Sequence, residues 1–230
     1  MKTFLKLLIS ICVAFTLFGL YITRDGDIFN PIGEGEVFLD SGTYEAFPLP
    51  KYASEMLNSN YKSYFIEVEP GLKVHVLETG KGFPVFLMHG NPTSGFLYRK
   101  VVENLPLDRV RVIMPTSIGL GFSSKIPASE HTLDNHIRWT NKVLEDLELT
   151  ELVYAGQDWG GPIGMGALSL SPNLLKGAVL LNTGFSAPTI NTDISPAHAI
   201  VKTPLVGELI LEVFFSIFER LGRVQGDPAS

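Results

Sequence analysis

The group best placed to do chemistry in this sequence is a carboxylate at residue 158. The stretch Val153-Tyr154-Ala155-Gly156-Gln157-Asp158-Trp159-Gly160-Gly161-Pro162 runs from apolar strand character, through Gly-x-Asp-x-Gly-Gly, into an apolar, small-residue helix pattern. A strand-turn-helix elbow of this kind lifts one side chain clear of the sheet, and small residues on either side permit the tight backbone. Here the lifted residue is Asp158. A carboxylate can displace a leaving group from a saturated carbon and form an ester that water then hydrolyses, whereas a serine ether formed in that way would be a dead end. Asp at a strand-to-helix turn also serves as a helix N-cap, and the residues alone leave both roles open.

Other chemistry-bearing residues point to less. His75 falls within an alternating strand pattern and reads as an ordinary strand residue. His131 and His136 lie at a helix start, and a five-residue separation is expected to put them on different faces, so no metal site is read there. Gly119-x-Gly121 lacks the third glycine and the immediately following helix of a dinucleotide fingerprint. The single cysteine, Cys12, excludes an internal disulfide framework and a cysteine-based metal site. No cofactor is expected.

The elements that must position Asp158 follow from the patterning. With 230 residues, 45% of them hydrophobic, the chain has room for one domain with a substantial core. Residues 1–24 carry Lys2, Lys6 and Arg24 and no acid, leaving 15 basic against 24 acidic residues beyond them, which excludes a nucleic-acid partner. Leu7 to Ile22 holds no charge, and with the basic residues before it reads as an export signal or membrane anchor spanning residues 4–22. That places the rest on the extracytoplasmic side, or secreted or periplasmic if residues 1–24 are cleaved.

Residues 25–62 read as a linker and N-terminal arm. Tyr64–Glu69 and Leu72–Thr79 alternate around Pro70-Gly71, as in an antiparallel hairpin. Val85–Met88 is a short apolar run suited to a strand buried on both faces, followed by a helix over Ser94–Leu105 and a strand over Val110–Met114. Thr132 reads as an N-cap for a helix whose apolar face is Leu133, Ile137, Leu144 and Leu147. Strands at Leu152–Ala155 and Gly177–Leu181 flank a helix at Gly160–Ser171. Strands alternating with helices predict an α/β fold with a mostly parallel sheet flanked by helices. Asn91, Thr116, Asp158 and Asn182 all fall just past strand ends, where ligands gather in such sheets. A partial core over 63–195 is followed by a strongly apolar segment, 196–230, which reads as the start of a helical cap or lid.

Three ordered motifs resemble the α/β-hydrolase fold and, within it, the haloalkane dehalogenase family. They are His89-Gly90-Asn91-Pro92-Thr93-Ser94-Gly95-Phe96-Leu97-Tyr98-Arg99, Pro115 with Gly119-Leu120-Gly121-Phe122-Ser123, and Gly156-Gln157-Asp158-Trp159-Gly160-Gly161-Pro162. The resemblance, spanning Phe65 to Phe185, implies that Asp158 is the nucleophile. It implies that the Trp159 indole and the Asn91 side-chain amide hold a leaving halide, and that the backbone N–H groups of Asn91 and Trp159 form an oxyanion hole. A halide is a diffuse anion that needs donors and no acceptors, which indole and amide N–H groups supply. The partners implied are a small hydrophobic halogenated substrate and water; oligomeric state is unreadable.

Two departures stand out. Thr116 occupies the position where the family usually carries Asp. The family's general-base histidine follows its last strand, and the only histidine after the elbow here is His198, at the start of the lid segment, with Asn182 rather than an acid after the next strand. The expectation is a chain without its C-terminal strands that forms the alkyl ester on Asp158 but does not turn over. An epoxide hydrolase-like reading is the neighbouring alternative, but it wants an aromatic residue at Asn91 and lid tyrosines, and no tyrosine follows Tyr154. A membrane-anchored, non-catalytic scaffold is the alternative from another class.

Overall fold

The computed structural model describes residues 30–57 and 60–184, with isolated helical positions at Lys6, Ser10, Ile11, Val13, Ala14 and Leu17 and short pieces at 199–200, 203 and 206–209. The chain divides into one compact unit over Gly26–Ser186 and another made of Met1–Asp25 with Ala187–Ser230. The leader or anchor read over 1–24, the lid over 196–230 and His198 lie largely or wholly outside the described residues. Among the described residues no helix is long and apolar enough to cross a membrane.

Eight strands form one sheet: β1 (Glu36–Leu39), β2 (Gly42–Ala46), β3 (Lys62–Glu69), β4 (Leu72–Gly80), β5 (Phe83–Met88), β6 (Val110–Pro115), β7 (Leu152–Gln157) and β8 (Leu175–Leu181). Their order is β1-β2-β3-β4-β6-β5-β7-β8. β5 runs parallel to β6 and β7, and β7 parallel to β8. The remaining pairs, from β1 through β4 to β6, are antiparallel. The sheet is therefore parallel where Asp158 lies and mixed as a whole. The antiparallel share is larger than the sequence suggested because the arm itself enters the sheet as the β1–β2 hairpin, two strands too short to show a period.

Burial on both faces explains the continuous apolar run of β5. Phe86 and Met88 face one core with Ile113, Trp139, Val143 and Tyr154. Leu87 faces the other, with Leu77, Tyr98, Val112 and Met114. Two helices cover the first core. Helix α3 (Leu133–Asp146) starts at Thr132, whose hydroxyl accepts the Asn135 N–H at 3.1 Å, as read from the sequence. Its buried face is Trp139, Thr140, Val143 and Leu144, while Leu133, assigned to that face from the sequence, is 42% exposed because the helix meets the sheet only after its first turn. Helix α4 (Gly160–Leu170) packs beside it.

Short helices cover part of the rest. Residues 51–54 form α1 (Lys51–Ser54). The helix expected over Ser94–Leu105 is a 3-10 turn, Gly95–Tyr98, leading into one α turn, α2 (Arg99–Val102). Tertiary anchors override the helical pattern: the Gly95 N–H donates to Thr116 Oγ1 at 3.1 Å and the Tyr98 hydroxyl to the Met88 carbonyl at 2.8 Å.

The chain leaves β5 toward β6 on one side and returns through β7 on the other, so successive crossovers diverge at β5. Loops after β5 and β7 then face one another at the carboxyl end of the sheet, the place where open α/β sheets bind ligands.

Candidate active site

Asp158 stands between the end of β7 and the start of α4 with φ at 53°, in the left-handed region. For a residue with a side chain that conformation costs on the order of 1–3 kcal/mol and persists only where the surroundings enforce it. Three hydrogen bonds do so. The Asp158 N–H donates to the Leu181 carbonyl at 3.3 Å, and the Asp158 carbonyl accepts the Gly161 N–H at 3.0 Å and the Thr183 hydroxyl at 2.5 Å. The carboxylate does not cap its own helix. Trp159 is the N-cap residue, without a side-chain cap, and Asp158 Oδ1 instead accepts the backbone N–H of Asn91, from the loop after β5, at 3.0 Å. Of the two roles left open by the sequence, the cap is the one the geometry removes.

His89 positions that donor. Ser117 N–H donates to His89 Nε2 at 3.0 Å, so the ring proton lies on Nδ1, which donates to the Gly90 carbonyl at 2.9 Å. The ring is wholly buried, and burial pushes its pKa down to about 4. His89 is thus a neutral strut between the loops after β5 and β6, with both nitrogens engaged. Gly90 must lack a side chain, because a Cβ there would run into the Asp158 carboxylate.

An open cleft of about 470 Å³ lies over the elbow, lined by Asp158, Trp159, Pro162, Asn182, Thr183 and Gly184. Trp159, on the cleft wall, is 49% exposed, which leaves its ring available to a ligand. Asn182, like Asp158, has positive φ, at 46°.

The alpha/beta hydrolase fold family model matches residues 84–215. The chain belongs to the α/β-hydrolase fold family. It is 34% identical over 149 residues to haloalkane dehalogenase 2 of Mycobacterium tuberculosis, a match covering 65% of this chain and 51% of that protein. It is also 34% identical over 175 residues to the cis-3-alkyl-4-alkyloxetan-2-one decarboxylase of Shewanella oneidensis, covering 74% of this chain and 54% of the relative. Among solved structures, haloalkane dehalogenase DatA of Agrobacterium tumefaciens C58 superposes with a TM-score of 0.63 at 28% identity, covering 75% of this chain and 58% of that one. The chain spans about half the length of the curated relatives it matches.

In this α/β-hydrolase-fold chain, Asp158, Trp159 and the Asn91 backbone come together. Asn182 joins Asp158 and Trp159 on the cleft wall, whereas Asn91 is not among the lining residues and meets Asp158 through its backbone N–H. Thr116 does not: it is fully buried beneath the loops, with its hydroxyl engaged by Gly95 and its carbonyl accepting the Ser123 hydroxyl at 2.6 Å. The glycine-bearing loop is held by Lys125, whose ammonium donates to the carbonyls of Leu120, Gly121 and Ser123. His131 and His136, expected on different faces, touch: Nδ1 of His131 lies 3.1 Å from Nε2 of His136. The helical spacing rule fails because His131 precedes the N-cap Thr132 and so lies outside the helix. Thr183 was not singled out from the sequence, since a single threonine after a strand carries no motif; its role is visible only in its bond to Asp158.

Proposed function

We propose that Asp158 is a carboxylate nucleophile in a haloalkane dehalogenase-like hydrolase. Oδ1 is held by the Asn91 N–H, which leaves Oδ2 to attack a saturated carbon from the cleft. The new C–O bond forms as the carbon–halogen bond breaks, and the halide leaves with the electron pair. The Trp159 indole and the Asn91 side-chain amide are assigned to receive it. Water then adds to Cγ of the resulting ester, and the negative charge develops on Oδ1, where the Asn91 N–H, joined by that of Trp159, stabilises it. Collapse releases the alcohol and restores the carboxylate. One such donor is worth roughly a hundred- to a thousandfold in rate.

The observation that carries this reading is the bond from the Asn91 N–H to a carboxylate that its own helix does not use. The hydrolytic step needs a base to take the water's proton. Among the described residues no histidine lines the cleft, and His89 is fully engaged, so we assign alkyl-ester formation to these residues and the base to none of them. The lid reading of 196–230 and the leader reading of 1–24, with its extracytoplasmic placement, rest on the sequence alone.

Exposing the purified chain to 1-bromobutane and mapping the adduct by peptide mass spectrometry tests the reading. One butyl group on Asp158, one equivalent of bromide, and no adduct in Asp158→Asn are expected. An unchanged mass on folded protein would favour the scaffold alternative. A second reading keeps Asp158 and changes the leaving group to the ring oxygen of a four-membered lactone. It is favoured by the decarboxylase relative, whose match covers more of this chain than that of the dehalogenase. Turnover of a cis-3,4-dialkyloxetan-2-one with no reaction at 1-bromobutane would select it.

A further inference from the structure

We infer that Thr183 is a positioning residue for the elbow: its grip on the Asp158 carbonyl fixes the plane of the Asp158–Trp159 peptide and thereby aims the Trp159 N–H. The consequence for catalysis rests on the reading of Asp158 given above. The direction of the peptide does not.

Thr183 lies just past β8, the strand hydrogen-bonded to β7. Its hydroxyl has one proton and two acceptors in range. The Asp158 carbonyl lies at 2.5 Å and the Gly184 carbonyl at 3.4 Å, and a hydrogen bond weakens steeply over that interval, so Asp158 takes it. The Asp158 carbonyl and the Trp159 N–H belong to one planar trans peptide and point in opposite directions. Drawing the oxygen toward Thr183 and the Gly161 N–H therefore turns the Trp159 N–H the other way, away from both of those partners. Gly161 alone could hold the oxygen through a helix-type turn, but helix ends fray and Asp158 is in a strained conformation. Thr183 supplies the tie from the neighbouring strand.

A second observation fits the same role. A Cβ at Gly161 would collide with the Thr183 side chain, so glycine at 161 is what allows the hydroxyl to reach its acceptor. The second glycine of the elbow is then explained by a residue more than twenty positions away in sequence.

Thr183→Val keeps the shape and removes the hydroxyl; Thr183→Ser keeps the hydroxyl. In the ¹⁵N-labelled chain, the Trp159 amide resonance of Thr183→Val is expected to shift and broaden as the peptide samples two orientations, and Thr183→Ser is expected to restore the wild-type signal. The butyl ester formed on Asp158 is expected to be cleaved by added hydroxylamine, a nucleophile that needs no protein base, at least about tenfold more slowly in Thr183→Val, as follows from losing an aimed donor, with rescue by serine. Gly161→Ala is expected to reproduce the valine defect by displacing Thr183. A sharp Trp159 amide at its wild-type position in Thr183→Val overturns the inference, as does a serine variant no better than valine. If the wild-type chain forms no ester, the functional reading fails, while the amide spectra still decide the role of Thr183.

Discussion

His75 is buried completely on β4, in a box made by the rings of Phe47, Phe65 and Phe122. Ser63 donates its own proton to the Phe47 carbonyl at 2.7 Å, so the 2.9 Å contact between Ser63 Oγ and His75 Nε2 requires the proton on Nε2. Nδ1 is then a bare acceptor with no partner. Burial first, and the nearby Lys125 charge second, push the His75 pKa down to about 3. His89 is held near 4 by burial. In the unfolded chain both titrate near 6.5. Folded values below unfolded ones mean that the stabilisation is complete above pH 6.5 and is lost as pH falls, because the unfolded chain takes up protons that the native one refuses. Each histidine contributes a slope of about 1.4 kcal/mol per pH unit between roughly 6 and 4. Urea melts across that range should show it, and His75→Phe, which completes the aromatic box, should flatten it by about a third or less, because His136 is likewise held near 4 by burial and by His131, and His131 is itself lowered by burial; an unchanged slope would contradict the protonation state assigned to His75. At this scale the sequence singled out Asp158, Trp159 and Asn91 because their neighbours formed motifs. It concealed Thr183 and the His131–His136 contact, because those depend on where the chain returns in space.

Three strands are tied together by one buried carboxylate. Glu78 of β4 accepts the Tyr64 hydroxyl of β3 at 2.7 Å and a forked pair from Arg111 of β6, both at 2.9 Å. Every oxygen of Glu78 is satisfied, and Glu78 is 4% exposed. Desolvation and the adjacent Glu78 raise the Tyr64 pKa well above its ordinary value. Glu78→Ala would strand the guanidinium and the phenol together, so we expect a loss of about 3–5 kcal/mol, read as the shift in a chemical denaturation midpoint. Arg111→Met alone should be nearly as damaging, and the double variant less than the sum, which a double-mutant cycle measures. Strand positions around β3, β4, β5 and β6 were legible from alternation and apolar runs, and the α3 cap from Thr132. The network was not, because Glu78 occupies an alternating strand where a solvated carboxylate would read the same. The 3-10 break near Gly95 was equally hidden, being set by Met88 and Thr116 rather than by local propensity.

At the scale of the sheet, β8 is the terminal strand among the described residues and pairs on one side only, with β7. Parallel strands are normally covered on both faces and flanked on both sides, and an uncovered edge is a template for another chain. The composition of β8 does little to blunt it. Lys176 is its only charge, it contains no proline, and Val179 and Leu181 are 50% and 46% exposed. Self-pairing through this edge would satisfy, in two copies at once, the backbone groups of β8 that no other described strand uses, an isologous contact that needs no second complementary surface. We therefore expect the 230-residue chain to associate as its concentration rises, seen as a growing mass in sedimentation or light scattering. Val179→Lys, which places a charge where an incoming strand would lie, should return it toward the monomer while leaving the far-ultraviolet circular dichroism unchanged. A monomer at every concentration would show that the edge is protected in solution. Because the same strand carries Thr183 at its exit, association through β8 should also slow exchange of the Trp159 amide, joining the outermost pairing of the sheet to the geometry of the elbow.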